Sequence, residues 1–198
     1  MERRRAYGMI SAIVLAAGKS ERMGTPKALL PIGGRTFLEN ILDVISRSSI
    51  QHTVVVAGHH REEIERSVRL PRVVFNPDYE LGMITSFQAG IRALPAEASG
   101  ALLFLVDHPL VDSETIELLI ANLAPNRIVV PVFEGRRGHP VLFASGVLQE
   151  VLALPASQGA NIVVRKDASR VLEVTVNAPG VLVDVDTPED FEKLHHEL

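Results

Sequence analysis

Residues 13–31 read Ile-Val-Leu-Ala-Ala-Gly-Lys-Ser-Glu-Arg-Met-Gly-Thr-Pro-Lys-Ala-Leu-Leu-Pro. An apolar run from Ile10 to Leu15 stops at three small residues, Ala16, Ala17 and Gly18. A basic loop follows, carrying Lys19, Arg22, Gly24 and Lys27. A strand that ends in a tight glycine turn and a cationic loop can cradle an anionic phosphate chain, because free N–H groups and cationic side chains converge there. Gly18 and Gly24 let the main chain approach closely, and Arg22 and Lys27 add charge. The loop is not a Walker A sequence, which needs Gly-Lys followed by Ser or Thr; Lys27 lies three residues past Gly24. Nor is it G-x-G-x-x-G, because the spacing from Gly18 to Gly24 is wrong. The competing reading is a solvated surface loop, but such loops rarely follow a buried strand in this pattern.

Outward from this stretch, short β-branched runs alternate with amphipathic segments. Strands are expected at Ile10–Leu15, His52–Ala57, Arg72–Phe75, Ala101–Val106, Arg127–Val130, Val141–Phe143, Arg170–Val176 and Val181–Val183. Helices are expected at Thr36–Arg47, Arg61–Val68, Ile84–Leu94, Ser113–Leu123, Ser145–Ala153, Ala160–Lys166 and Pro188–Glu197. Val54-Val55-Val56 and Leu102-Leu103-Phe104-Leu105 lack alternation, as strands covered on both faces do. Strand–helix alternation implies an α/β fold, three-layered and Rossmann-like, with a mostly parallel sheet. Residues 131–180 are less regular and are expected to carry an antiparallel edge or a substrate flap. Residues 1–9 read as a basic leader and 10–198 as one domain.

Composition sets the bounds. A chain of 198 residues suits one domain that buries about 70% of its unfolded surface. The net charge of −4 argues against wholesale nucleic-acid binding and makes the basic loop a local feature. There is no cysteine, which excludes disulfides, thiolate chemistry and Cys-ligated metals. No apolar stretch approaches the ~18–20 residues of a membrane span. The basic start lacks the apolar region and cleavage site of a secretory signal, so a cytoplasmic location is expected.

Ligands of open parallel sheets sit beyond the carboxyl ends of the strands. Leu105-Val106-Asp107-His108-Pro109 puts a carboxylate there, where it needs solvent or a cation. Magnesium bridging phosphate oxygens is one such cation; a turn-forming Asp before Pro109 is the alternative. Val183-Asp184-Val185-Asp186 places two carboxylates on one face of an extended segment, a second candidate ligand pair. Thr187-Pro188-Glu189-Asp190 reads as a helix start, with Thr187 as N-cap. Asn76-Pro77 and Gly82-Met83-Ile84-Thr85-Ser86 form a turn and a helix start that could meet an anion or a base edge, or only cap the helix. Gly135-Arg136-Arg137-Gly138-His139-Pro140 is a second Gly-flanked basic loop. His59-His60 and His195-His196 have no ligand spacing; the last pair suits a helix C-terminus.

The string L-A-A-G-x-S-x-R-M-G-x-P-K-x-L-L-P resembles the signature of nucleotidyltransferases that make nucleotide sugars and nucleotide cofactors, and within them the molybdenum cofactor cytidylyltransferases. The likeness runs over about residues 10–195, and Asn161 departs from it where an Arg is common. It implies transfer of CMP from CTP to molybdopterin, with Mg2+ as cofactor and pyrophosphate as leaving group. It further implies that Lys27 and Arg22 hold the triphosphate, with Asp107 as the third catalytic residue. The nucleotide would meet Leu15, Ala16, Ala17, Gly18, Lys19, Gly24, Asn76, Gly82 and Ser86. Asp107 and Asp186 would hold the metal, with Asp184 as alternate. Arg137, Gly138 and His139 would meet the pterin-side phosphate. Guanylyl-transferring relatives resemble Leu-Ala-Gly-Gly where this chain has Leu-Ala-Ala-Gly, so Ala17 suits a pyrimidine; GTP and sugar-phosphate chemistry are the same-fold alternatives. A molybdenum enzyme or its chaperone would be the protein partner. Two other classes stay open. A Rossmann oxidoreductase would need the missing glycine fingerprint, and a non-catalytic cofactor chaperone would bind without turnover.

Overall fold

The computed structural model describes residues 8–69 and 71–197. The expected leader lies mostly outside the described residues, and its last residue, Met9, already belongs to the first strand. Ten strands and seven helices follow in order among the described residues: β1 (Met9–Ala16), β2 (Pro31–Ile32), β3 (Arg35–Thr36), α1 (Phe37–Ser46), β4 (His52–Ala57), α2 (Arg61–Ser67), β5 (Val73–Phe75), α3 (Met83–Arg92), β6 (Ala98–Leu105), α4 (Ser113–Ala121), β7 (Ile128–Phe133), β8 (Arg136–Arg137), β9 (Val141–Ala144), α5 (Ser145–Leu152), α6 (Asn161–Lys166), β10 (Val171–Thr175) and α7 (Pro188–Glu197).

The main sheet runs β10-β7-β9-β6-β1-β4-β5, with β8 added beside β7. β1 lies parallel to both β4 and β6, β4 to β5, and β7 to β10. Chain order departs in opposite directions from β1, so a crevice opens at its carboxyl end, where such sheets bind ligands.

β1 shows why the fold has three layers. Ile10, Ala12 and Val14 face one side, where they pack with Leu38 and Ile41 of α1, Ile64 of α2 and Ile116 and Leu119 of α4. Ile13 and Leu15 face the other, with Ile84 and Phe87 of α3, Val147 and Val151 of α5 and Val163 of α6. Successive residues of a strand point to opposite faces, and both faces here are apolar because helices cover both.

Three expectations change. Val181–Val183 is not a strand: Pro179–Leu182 forms a 3-10 turn whose Gly180 lies so close to Leu110 that a Cβ would strike its carbonyl oxygen. Residues 131–180 hold two antiparallel strands, and the longer is not an edge: β9 is inserted between β6 and β7 and runs antiparallel to both, while β8 pairs with β7 alone. The β2–β3 hairpin was unforeseen, although Gly33-Gly34, at φ +55° and +83°, is the residue pair a tight two-residue hairpin turn requires.

Candidate active site

The basic loop leaves β1 at Ala17 and curls around Ser20. The N–H groups of Met23 and Gly24 donate to the Ser20 carbonyl, and the Lys27 N–H donates to Ser20 Oγ at 3.0 Å. Ser20 takes φ +52° and Gly24 φ +65°, so both sit in the left-handed region that tightens the turn. The end of β4 presses on this loop. A Cβ on Gly58 would lie 2.5 Å from Ala17 O, and the His60 ring donates to Lys19 O at 3.0 Å.

The loop walls a cleft of about 520 Å³. Leu15, Ala16, Ala17 and Gly18 form its floor beside Lys19, Arg22 and Lys27. Ser86 of α3, Asp107 and Asp186 complete the expected set that lines it. Sequence reasoning missed Tyr79 and Glu80, which line the same cleft. Glu80 pairs with Lys19 at 2.6 Å, which lowers the Glu80 pKa and raises that of Lys19. Nothing local in the sequence pairs residues 61 positions apart.

Asp107 follows β6 in a turn held by His108 N–H on Leu105 O at 3.0 Å. Val185 N–H donates to Asp107 O at 3.0 Å, which docks the extended segment 183–187 against that turn. Val185 is buried with Leu30, Ile32 and Phe37, so Asp184 and Asp186 are turned outward on either side of it. They part there. Asp186 accepts from Lys27 Nζ at 2.5 Å and from Arg22 at 3.0 Å, and the Lys27 hydrogen bond is the main reason its pKa is lowered. Asp184 instead joins Asp107 and His108, each offering one ligand atom within 4.8 Å of the others. Burial, then the Asp107 carboxylate, raise the Asp184 pKa. Asp107 Oδ2 meets Lys27 Nζ at 3.4 Å, while its Oδ1 is buried without a hydrogen-bond partner among the described residues. The alternate ligand Asp184 is thus the one beside Asp107, and Asp186 is the one the cations hold. His108 was not foreseen in this cluster, although it adjoins Asp107 in sequence.

Thr187 and Asp190 form the expected cap. Asp190 N–H donates to Thr187 Oγ1 at 3.2 Å, and Asp190 Oδ2 accepts from Thr187 N–H at 3.0 Å. This fixes α7 and with it the segment bearing Asp184 and Asp186.

Several expected contact residues do other work. Asn76 is buried, and its Nδ2 donates to Thr85 Oγ1 and Ser86 Oγ at 2.9 Å each, so it shapes the start of α3 from beneath the cleft wall. Gly82 holds φ +113° at the N-cap of α3, and Gly24 shapes the basic loop; neither lines the cleft. Arg137 on β8 pairs with Glu173 of β10 at 2.7 Å. Gly138 packs against the Val181 backbone, where a Cβ would collide, and His139 N–H donates to Val181 O at 2.9 Å. The His139 ring lies 4.8 Å from that of His108, and burial first, then His108, push its pKa down to about 4. His139 therefore packs on the turn that carries Asp107 and His108, and Gly138 on the turn at Pro179–Leu182.

Among the described residues no helix is long and apolar enough to cross a membrane. Comparison with known proteins agrees with this geometry. The chain is 29% identical over 196 residues to nicotine blue oxidoreductase of Paenarthrobacter nicotinovorans, spanning 93% of this chain and 96% of that protein. It is 28% identical over 193 residues to the molybdenum cofactor cytidylyltransferase of Escherichia coli strain K12, spanning 92% and 93%. The crystal structure of a homolog, from Mycobacterium sp. strain JC1, of Mycobacterium tuberculosis Rv0371c superposes with a TM-score of 0.86 at 30% identity, covering 95% of this chain and 96% of that one. The model of the MobA-like NTP transferase domain matches residues 12–171, from the middle of β1 to the start of β10, and the chain belongs to that family.

Proposed function

We propose that the protein transfers CMP from CTP to the terminal phosphate of molybdopterin, releasing pyrophosphate. One observation carries this reading most: Lys27, rooted in the glycine loop, pairs with Asp107 and Asp186, so cations and acids from distant parts of the chain meet in one cleft. An acceptor phosphate oxygen attacks the α-phosphorus, and the bond from that phosphorus to the β-bridging oxygen breaks. The nucleophile is already anionic, so no general base is required; positioning and charge neutralisation carry the catalysis. Lys27 and Arg22 exchange Asp186 for triphosphate oxygens when the nucleotide enters. Loop N–H groups near Gly18 add to this, and Ala17 and Ser86 flank the base.

The acids fit a divalent cation such as magnesium. Asp107 has a buried oxygen with no hydrogen-bond partner among the described residues, and Asp184 brings a carboxylate oxygen within 4.8 Å of an Asp107 oxygen. Bound there, such a cation supplies neutralisation of charge on the attacking and leaving oxygens. The E. coli relative supports molybdopterin as acceptor, and Ala17 supports CTP over GTP. A molybdenum enzyme or its chaperone would then receive the product. The P. nicotinovorans relative supports a second reading, a reductase using the same cleft. Against it stand the absence of G-x-G-x-x-G and the Ala57-Gly58 end of β4, which carries no ribose-binding acid.

The two readings separate by thermal shift. The four nucleoside triphosphates with magnesium, and NADH and NADPH, are each mixed with the protein. Stabilisation by a triphosphate alone supports transfer, and stabilisation by a reduced dinucleotide alone supports the reductase.

A further inference from the structure

The atoms of the Asp107 carboxylate have separate fates. Oδ2 faces Lys27 at 3.4 Å, while Oδ1 is buried and unpartnered among the described residues. The next residue, His108, is only 9% exposed, and its Nδ1 is likewise unpartnered. A buried carboxylate oxygen and a buried imidazole nitrogen without partners are each costly. Both residues converge with Asp184, each of the three offering one ligand atom within 4.8 Å of the others. A cation shared by the three would give these groups a partner.

We propose that His108 is a third ligand to the cation held by Asp107 and Asp184, and that this nitrogen makes the site take manganese(II) in preference to magnesium. The inference rests on the assignment of Asp107 and Asp184 above and deepens it. Magnesium keeps oxygen ligands and waters in a near-octahedral shell. Imidazole suits the first-row transition ions, and two carboxylates keep manganese, the hardest of that series, well matched. The His139 ring packs against His108, 4.8 Å between centroids, and limits its rotation. The neighbouring cation, Lys27, is drawn to Asp186 at 2.5 Å and meets Asp107 through Oδ2 at 3.4 Å, so it does not occupy Asp107 Oδ1.

The test uses the full chain stripped of metal, with no nucleotide present. Calorimetric titration with manganese chloride and with magnesium chloride gives the two affinities. Electron spin echo of the manganese-loaded protein detects a coordinated nitrogen. Manganese should bind about tenfold tighter or more, with nitrogen modulation from one imidazole. His108→Asn keeps a polar side chain of similar size beside His139. It should lose both the modulation and the manganese preference while still binding both ions through its acids. His108→Ala, checked for folding by circular dichroism, should do the same. Equal affinities in the native chain, manganese bound without nitrogen modulation, or modulation that persists in His108→Asn would each overturn the proposal. Nucleotidyl transfer is measured separately: turnover of CTP without nitrogen coupling removes this inference alone, whereas nitrogen coupling without turnover keeps it and removes the reaction.

Discussion

Lys27 Nζ lies 2.5 Å from Asp186 Oδ1, a contact that joins the loop after β1 to the segment before α7, 159 residues away. The Lys27 side chain is 12% exposed and that of Asp186 38%. The pair is therefore neither a solvated surface bridge nor a fully buried one. Lys27→Ala should cost about 1–2 kcal/mol of stability, between the ~0–1 of surface pairs and the ~3–5 of buried ones. Removal of a group that stabilises developing phosphate charge should lower kcat/KM by roughly 10²–10³-fold. Urea unfolding and steady-state turnover check the two effects, and unchanged turnover in a folded variant would remove Lys27 from the reaction.

The two acids flanking Val185 should behave differently. Asp184 sits with Asp107 and His108, whereas Asp186 is engaged by Lys27 and Arg22. Asp184→Asn should raise the magnesium concentration needed for half-maximal turnover by about tenfold or more. Asp186→Asn should change that concentration less and should alter KM for the nucleotide, because it frees two cations. A larger magnesium effect in Asp186→Asn than in Asp184→Asn would return the ligand role to Asp186.

Asn76 should matter through the fold. Its amide donates to Thr85 and Ser86, and its Oδ1 accepts from Asp78 N–H at 3.0 Å. Asn76→Ala leaves buried hydroxyls and an N–H without that partner, a loss of about 1–3 kcal/mol. Chemical denaturation checks the stability. KM for the nucleotide should rise with it, because Ser86 loses its anchor, while kcat stays within a few-fold.

Ala17 lines the cleft and is only 6% exposed. One methyl is worth about 1–3 kcal/mol in discrimination, or roughly tenfold to two-hundredfold in kcat/KM. Ala17→Gly should narrow the preference for CTP over GTP without making GTP the better substrate. Ratios of kcat/KM for the two nucleotides in both proteins decide the point.

The alternation of buried strands with amphipathic helices was legible because each strand's two apolar faces are local facts of the sequence. Partner choice is not local. Val141–Phe143 reads as a strand, but its place between β6 and β7 depends on pairings with residues 13 to 42 positions away. Val181–Val183 reads as a strand by composition, but Pro179–Leu182 is a turn because Gly180 must pass close to Leu110. The basic loop was legible for the opposite reason: its glycines and cations lie within one stretch. Asn76 and Arg137 carried the right chemistry for a site, and tertiary partners at Ser86 and Glu173 claimed it. His108 was hidden because a lone histidine beside an acid carries no spacing signal. Asp184 brings it into a cluster only through the Val185–Asp107 backbone bond.

The central claim is tested most directly by pyrophosphate release from the purified chain given CTP, a divalent cation and molybdopterin, with identification of the organic product by mass spectrometry. The account predicts one pyrophosphate for each cytosine dinucleotide formed, strict dependence on acceptor and cation, and slower release with GTP. No pyrophosphate from any of the four triphosphates, with acceptor present and the protein folded, would contradict it.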